Sequence, residues 1–554
     1  MDDLLKALTK NGFAGDVDIS DITRDTYSHD ASLFEIRPKA VVYPKHAQDV
    51  ELVVSQVAKL KKKHPDLSVT ARSAGTDMSG GAINDSVIMD FKRYFTKIGK
   101  VSAKTARVQP GVFYRDFEPA TLAQGSLMPS YPASRDLCTV GGMVNNNSGG
   151  EKSLEYGKTE NYVAELRVVF ADGVERVVKP LKLPELQAKV KQNDYEGKLY
   201  RHLYTLIETN YEVLQAAKPK VSKNSTGYNL WDVWDREKQV FDLTKLIVGA
   251  QGTLGFVTDI KFRLVKARAH SGLLVMFLKD IDKLGEIINV VLRHKPATFE
   301  SFDDATLWLS IKFMPFFLKM LGPKAFIKLL FGLIPDAVQL LKGIPKLVLM
   351  VEFNGETEEE VRQKVKNLHR ELGMKRGYYE INGFEDADSE FKSEKFWIMR
   401  RQSFNLLRNK VHDKHTAPFI DDLVVNPEYL PKFLPQVREV IKKYKLLATI
   451  AGHMGDGNFH IIPLMRLEEK SERDKLLPAM QEVNHLVLQY KGSLSGEHND
   501  GLIRGPWLET MYGKDVLHLF RQAKHIMDPH NIFNPHKKAN ADWNYSYHHI
   551  RDHF

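Results

Sequence analysis

Apolar and polar positions change their period several times along the chain, and the changes divide it into segments. Between about residues 37 and 265, short apolar runs (AVVYP, LSVTA, VIMDF and ELRVVF) are separated by glycine-rich turns and predict strands. Residues 47 to 62 carry apolar side chains at helical spacing, so this region reads as an α+β domain. From about 270 to 500, strand-like LLVMFL, KLVLMVEF and LLATIAG alternate with amphipathic helical patterns at 356 to 372 and 467 to 490. A second sheet covered by helices is expected there. The resulting divisions are an N-terminal helical segment at 1–36, a first domain at 37–266, a second at 267–500, and a terminal segment at 501–554. That last segment has its own turn chemistry in HIMDPHNIFNP and is expected to pack back on the first domain.

A chain of 554 residues with 43% hydrophobic content buries more than one core, in keeping with these divisions. Its net charge of +9, from 79 Lys and Arg against 70 Asp and Glu, is spread over the whole length. That pattern favours anionic partners only weakly, and neither a zinc-finger spacing nor an aromatic RNP pattern points to nucleic acid. Cys138 is the single cysteine, which excludes an intrachain disulfide and a thiolate-held iron–sulfur cluster. A reducing cytoplasmic setting is expected, and MDDLLKALTKNG does not read as a signal peptide. Residues 313 to 347 mix apolar patches with lysines and prolines, and their uncharged runs are too short to span a bilayer. Phe316, Phe317, Phe331, Lys319, Lys324 and Lys328 suit either helices lying in a membrane interface or a pair of core or dimer-contact helices.

Three glycine-rich stretches carry candidate chemistry. In ARSAGTDMSGGA, Gly75, Gly80 and Gly81 let the backbone turn tightly after a strand and aim successive N–H groups at an anion such as a pyrophosphate. The loop is neither GxGxxG nor a Walker loop; no GxGxxG occurs in the chain, and the GKT at Gly157 to Thr159 has Lys152 where a Walker loop needs glycine. CTVGGMVNNNSGGEKSLEYGKTENYV, residues 138 to 163, is long, small and polar, as loops that hold ligands are. In VGAQGTLGFVTDI, Gly252 and Gly255 flank a threonine before a strand and allow close approach of a flat ligand.

Together these stretches resemble the PCMH-type, or vanillyl-alcohol-oxidase-type, flavoproteins, in the branch of D-lactate, glycolate and D-2-hydroxyglutarate dehydrogenases. The resemblance runs from YSHDAS near residue 27 to NIFNP near 535. It implies an α+β fold in which 37–266 is a two-subdomain PCMH-type FAD-binding domain and 267–500 a ferredoxin-like-derived α+β cap. By the same likeness Ser73, Ala74, Gly75, Thr76 and Asp77 wrap the FAD pyrophosphate, and Thr139, Gly141, Gly142, Asn145, Ser148 and Gly149 lie against the flavin and its diphosphate. Gly252, Thr253 and Val257 complete the adenine and ribose side, and Asn534 returns to the isoalloxazine.

The motif AGHMGDGNFH stands without any family. Asp456 and Gly457 form a two-residue hairpin signal, which would set His453 directly opposite His460 on one sheet face, where two imidazoles can grip a metal ion. A third ligand must come from elsewhere, and SLSGEHNDG offers Glu497 beside His498. The resemblance selects the same groups: His453, His460 and Glu497 for a divalent ion, zinc or manganese, and His498 as the catalytic base. FWIMRRQSFNLLR supplies Arg400 and Arg401, whose guanidinium groups suit a substrate carboxylate. The resemblance maps the role onto Arg400, and adds Tyr228, Asn224 and Asn458 to the pocket. The strand PFIDDLVV lacks the lysine that relatives acting on 2-hydroxyglutarate place there.

The expected function is FAD-dependent, metal-assisted oxidation of a D-2-hydroxy acid to the 2-keto acid, with hydride transfer to flavin N5. The electrons then pass to a separate acceptor, a quinone, an electron-transfer flavoprotein or an iron–sulfur partner, with peripheral membrane contact through 313–347 as one route. The alternatives are an ether-lipid synthase of the same fold, whose relatives carry a histidine run that here has only His548 and His549 as a counterpart, and a flavin-binding protein without turnover.

Overall fold

The computed structural model describes residues 1–304, 345–387, Ser393, Phe396, Trp397, Arg400 and 414–553. Phe316, Phe317, Lys319, Lys324, Lys328, Phe331 and Arg401 lie outside the described residues. Among the described residues, no helix is long and apolar enough to cross a membrane.

The uninterrupted apolar runs of the first domain become parallel strands, since a strand covered on both faces needs no alternation. Ala40–Tyr43, Val87–Asp90 and Val69–Arg72 pair in parallel in that order, and Asp16–Asp18 joins antiparallel at one edge. Helix Ala47–Leu60 packs Val50, Val53, Val54 and Val57 into this core. Each such buried valine contributes about 1.5–3 kcal/mol relative to an exposed one. An antiparallel sheet follows, in the order Ile98–Val101, Thr105–Val108, Phe256–Arg263, Val163–Val169, Glu175–Val178.

The second domain carries a long antiparallel sheet: Ile381–Ala387, His270–Leu278, Leu347–Gly355, Thr298–Asp303, Leu447–His453, Asn458–Met465, His415–Thr416. Its strands alternate between two buried faces. Leu274, Met276, Leu349, Ile450 and Ile461 face helices such as Leu284–Arg293, Glu358–Met374 and Leu476–Gln489. Leu273, Val275, Phe302 and Met350 face the other way, in a cluster with Phe396 and Trp397. Glu300, Ala451, His453, His460 and Ile462 share the parity of that second face, which looks toward the first domain. Sheet parity therefore decides which residues of the cap reach the site.

The terminal segment packs against strands of the first domain. Phe533 bridges Val69 in parallel, and its ring stands 4.7 Å from that of Phe256. Buried Lys524 ties the return by donating to Asp528 and to the carbonyls of Thr253 and Phe533.

Candidate functional site

The glycine-rich loops of the first domain and the open sheet face of the second enclose a cavity of about 680 Å³. On the loop side its walls are 73–78, residues from the stretch between Pro132 and Gly149, and Gln251, Gly252, Phe256 and Val257; on the cap side they include Glu300, Arg400, Thr449, Ala451, His453 and His460. The loop after strand Val69–Arg72 closes on its own acid: Asp77 accepts from the N–H of Gly81 at 2.5 Å, from Ser79 Oγ and from Asn146 Nδ2 at 3.1 Å. Gly75 has φ +72, and a Cβ there would stand 2.5 Å from Arg72 Nη2. Arg72 is thereby folded into the loop wall, donating to the carbonyl of His29 at 2.8 Å.

Two buried polar atoms on this wall lack a protein partner, Arg72 Nε and Asp30 Oδ2. Burial and the neighbouring Asp77 push the Asp30 carboxyl up to about 7. Helix Val140–Asn146 begins in the wall with Thr139 as its N-cap, Oγ1 accepting from the N–H of Gly142. Backbone donors, an unpaired guanidinium nitrogen and walls of small residues fit a long anionic cofactor such as FAD.

Of the residues expected to hold that cofactor, Ser73, Ala74, Gly75, Thr76, Asp77, Thr139, Gly141, Gly142, Asn145, Ser148, Gly149, Gly252 and Val257 line the cavity. Thr253 and Asn534 do not. Thr253 Oγ1 is bonded to Tyr228 OH at 2.7 Å and to the carbonyl of Ala250. Asn534 donates to the carbonyls of Gly81 and Gln251 and accepts from Thr70, so it clamps the loops together from below. Tyr228 is buried against Thr253, Asn458 Nδ2 donates to Asp422, and Asn224 accepts from Ser493 Oγ; none of the three reaches the cavity wall. Asn534 and Asn224, polar side chains in ligand-like motifs, hold together segments that the sequence places hundreds of residues apart.

The cap-side corner is a chain of alternating acids and bases. The two histidines of AGHMGDGNFH are not directly opposed: Asn458 pairs with His453, and Ala451 with His460. The hairpin closes through Met454–Asp456 and Gly457, a connection of four residues rather than two, with Gly457 at φ +64 and no room for a Cβ beside the Val425 carbonyl. The histidines are therefore diagonal neighbours on one face, with ring centroids 5.2 Å apart and planes at 89°.

Their inner nitrogens converge on one atom. Glu497 Oε1 lies 3.2 Å from His453 Nε2 and 3.4 Å from His460 Nε2. Ligands bound at about 2.1 Å to a common ion sit roughly 3.0–3.4 Å from each other. Their outer nitrogens donate to carboxylates, His453 Nδ1 to Glu300 at 2.5 Å and His460 Nδ1 to Asp421 at 3.1 Å. An imidazole held between two carboxylates is either doubly protonated or keeps its inner lone pair for a cation, the carboxylate–histidine–metal arrangement. Burial opposes charge on His460, yet Asp421 and Glu497 carry its pKa up to about 10. Excess negative potential at this corner is what a divalent ion would neutralise.

Ligand atoms of Asp422, His460, Glu497 and His498 also fall within 4.8 Å of one another. Asp422 is the weaker ligand of that group, because its oxygens already accept from the N–H groups of Glu497 and His498, from Ser495 Oγ and from Asn458 Nδ2. It holds the segment 495–498 in place. His453 is better placed.

His498 stacks on His460, with centroids 4.9 Å apart at 23°, and donates Nδ1–H to Asp421 at 2.5 Å, which leaves Nε2 as its acceptor. Arg400 donates from Nε at 3.2 Å and Nη2 at 3.1 Å to Glu300 Oε2. Lys223, wholly buried, lies 3.2 Å from Asp456 and 3.4 Å from Glu497 Oε2. Sequence reasoning missed Glu300, Asp421, Asp422 and Lys223. Two signals were available: adjacent acids inside the apolar run PFIDDLVV, and a lysine opening KNSTGYNL.

Comparison with known proteins matches residues 38–178 to the family described as FAD binding domain, and residues 268–538 to FAD linked oxidases, C-terminal domain. A D-2-hydroxyglutarate dehydrogenase of Pseudomonas putida is 27% identical over 539 residues, covering 97% of this chain and 51% of the relative. A glycolate oxidase subunit of Bacillus subtilis is 26% identical over 537 residues, covering 95% of this chain and 94% of the relative. The chain spans about half the length of several of the dehydrogenases it matches. Among solved structures, an alkyldihydroxyacetonephosphate synthase superposes with a TM-score of 0.65 at 14% identity, over 97% of this chain and 84% of that one. At that identity the likeness shows a shared fold. The expected α+β architecture with a PCMH-type FAD-binding domain is the fold observed.

Proposed function

The chain belongs to the FAD-linked oxidases, and from that premise we propose that it oxidises a D-2-hydroxy acid to the 2-keto acid with the help of a divalent ion. The observation that carries this reading is the convergence of His453, His460 and Glu497 beside His498, on the wall of the same cavity as the FAD loops. Names of the relatives support the substrate class: D-2-hydroxyglutarate and glycolate are both 2-hydroxy acids.

Bound FAD would supply at N5 the acceptor for the α-hydrogen and its electron pair, and zinc or manganese at His453, His460 and Glu497 would supply a Lewis acid for the hydroxyl. The chain's own residues do the rest. Arg400, braced by Glu300, takes the substrate carboxylate, as a guanidinium suits. His498 accepts the hydroxyl proton at Nε2, its tautomer set by Asp421. Burial opposes charge on His498 while Asp421 and Asp422 raise its pKa, and a divalent cation nearby works in the opposite direction, toward the neutral base.

The reading includes a separate electron acceptor and a reducing, cytoplasmic setting. The test is the visible spectrum of the purified protein before and after anaerobic addition of D- and L-2-hydroxy acids, with metal analysis of the same sample. Bleaching of the flavin by a D-acid alone is the expected result. A flavin that no acid bleaches would transfer the reading to the ether-lipid synthase alternative.

A further inference from the structure

We propose that Glu300 is the positioning residue that registers the two ends of the substrate, by holding a metal ligand with one carboxylate oxygen and the carboxylate anchor with the other. The inference rests on the reading above and assigns a role to a residue outside its ligand, base and anchor set.

The case is built from placement. Glu300 lies on Thr298–Asp303, a strand hydrogen-bonded to Leu447–His453 with Ser301 paired to Gly452, so it is a cross-strand neighbour of His453 on the cavity-facing side. The residue is 1% exposed. Oε1 accepts Nδ1–H of His453 at 2.5 Å, and Oε2 accepts from Nε and Nη2 of Arg400 at 3.2 and 3.1 Å. One rigid sheet position therefore joins a residue of the hairpin to one 53 positions earlier in the chain, with both oxygens committed to functional groups.

Each bond has a distinct consequence. Accepting from Nδ1 forces the His453 tautomer whose lone pair is on Nε2, the nitrogen 3.2 Å from Glu497 Oε1. Accepting from Nε and Nη2 fixes the plane of the Arg400 guanidinium, because its donors are rigidly arranged. A single side chain then links the hydroxyl-binding corner to the carboxylate-binding guanidinium. Catalysis by placement is sensitive to such a distance, since misplacement of about 1 Å costs on the order of 10²-fold.

A purely structural ion pair predicts something different. It would change stability and leave both binding functions intact once the protein folds. Glu300→Gln separates the cases: an amide has a single acceptor oxygen, so it can serve His453 or Arg400 but not both.

The experiment uses the FAD-loaded protein and two equilibrium readouts that need no turnover: zinc affinity by competition with a chromophoric chelator, and 2-keto acid affinity by perturbation of the flavin spectrum. Glu300→Gln is expected to retain FAD and to weaken at least one of the two affinities by about 10–100-fold, the range for loss of a ligand's hydrogen-bond partner. Arg400→Lys is expected to weaken keto acid binding while zinc affinity stays within about twofold of wild type, marking the anchor arm alone. Should Glu300→Gln fail to fold, Glu300→Asp keeps the charge but is one methylene too short to reach both partners, and the same loss is expected. Wild-type affinity for both zinc and keto acid in a folded Glu300 variant would overturn the proposal. A wild-type protein that binds no divalent ion would instead defeat the metal-assisted reading, and this inference with it.

Discussion

The two walls of the cavity recognise their ligands by opposite means. The loop wall is rich in backbone: glycines at 75, 81, 141, 142, 149 and 252 and a capped helix start. The cap corner presents side chains, in the sequence Arg400, Glu300, His453, Glu497, His460, Asp421, His498, each touching the next. Backbone recognition is lost by adding atoms, whereas a chain of buried charges is lost by removing them. The first wall should therefore be sensitive to small insertions of volume and the second to deletion of any one member.

The largest expected effect tests the corner as chemistry. His498→Ala should reduce the rate of flavin bleaching by about 10²–10⁴-fold, the usual contribution of a positioned base, with FAD content unchanged. Stopped-flow reduction under anaerobic conditions measures it, and a wild-type rate would remove the base assignment. Next comes the corner as structure. Lys223→Met strips the buried counter-charge from Asp456 and Glu497 and should cost about 3–5 kcal/mol, read as a lowered denaturation midpoint. Were the variant as stable as wild type, the corner would not depend on charge balance.

Gly75→Ala sharpens the other side of the comparison. A side chain at φ +72 is strained by about 1–3 kcal/mol, and its Cβ would press on Arg72, so FAD should dissociate more readily on dilution or gel filtration. Full retention would mean that the loop moves to accommodate an added methyl. The smallest effect is one of pH. Folding raises the Asp30 carboxyl from 3.8 to about 7, so the folded form favours the proton; this contribution is complete below about pH 4 and is lost as pH rises through 7. An ionised Asp30 also repels a pyrophosphate. FAD retention should fall between pH 6 and 8, and Asp30→Asn should flatten that slope, as flavin fluorescence of the filtrate would report.

Much of the fold was legible in advance, and the reasons are local. Ala40–Tyr43, Val87–Asp90 and His270–Leu278 follow directly from apolar runs, and Glu358–Met374 from helical spacing. Glycine-rich loops were legible for the same reason, since a run without side-chain bulk has few structural uses. The hairpin register was misjudged because Asp-Gly marks a turn without fixing its length; Met454 and Gly455 also belong to the connection. Asn534, Tyr228 and Asn458 looked like ligand contacts, but buried polar groups must find partners, and the partners available were Gly81, Thr253 and Asp422.

By itself the sequence determined the main strands and helices and the residue types capable of holding an anionic cofactor and a cation. Periodicity and backbone freedom are properties of neighbouring residues, and neighbours are written in order. Only the tertiary structure decided that Glu300 meets both His453 and Arg400, that Asp421 serves both His460 and His498, and that Lys223 lies under Glu497. Those contacts join positions 39 to 274 residues apart. Their partners are chosen by sheet parity and by the requirement that every buried charge be matched, which no local pattern encodes.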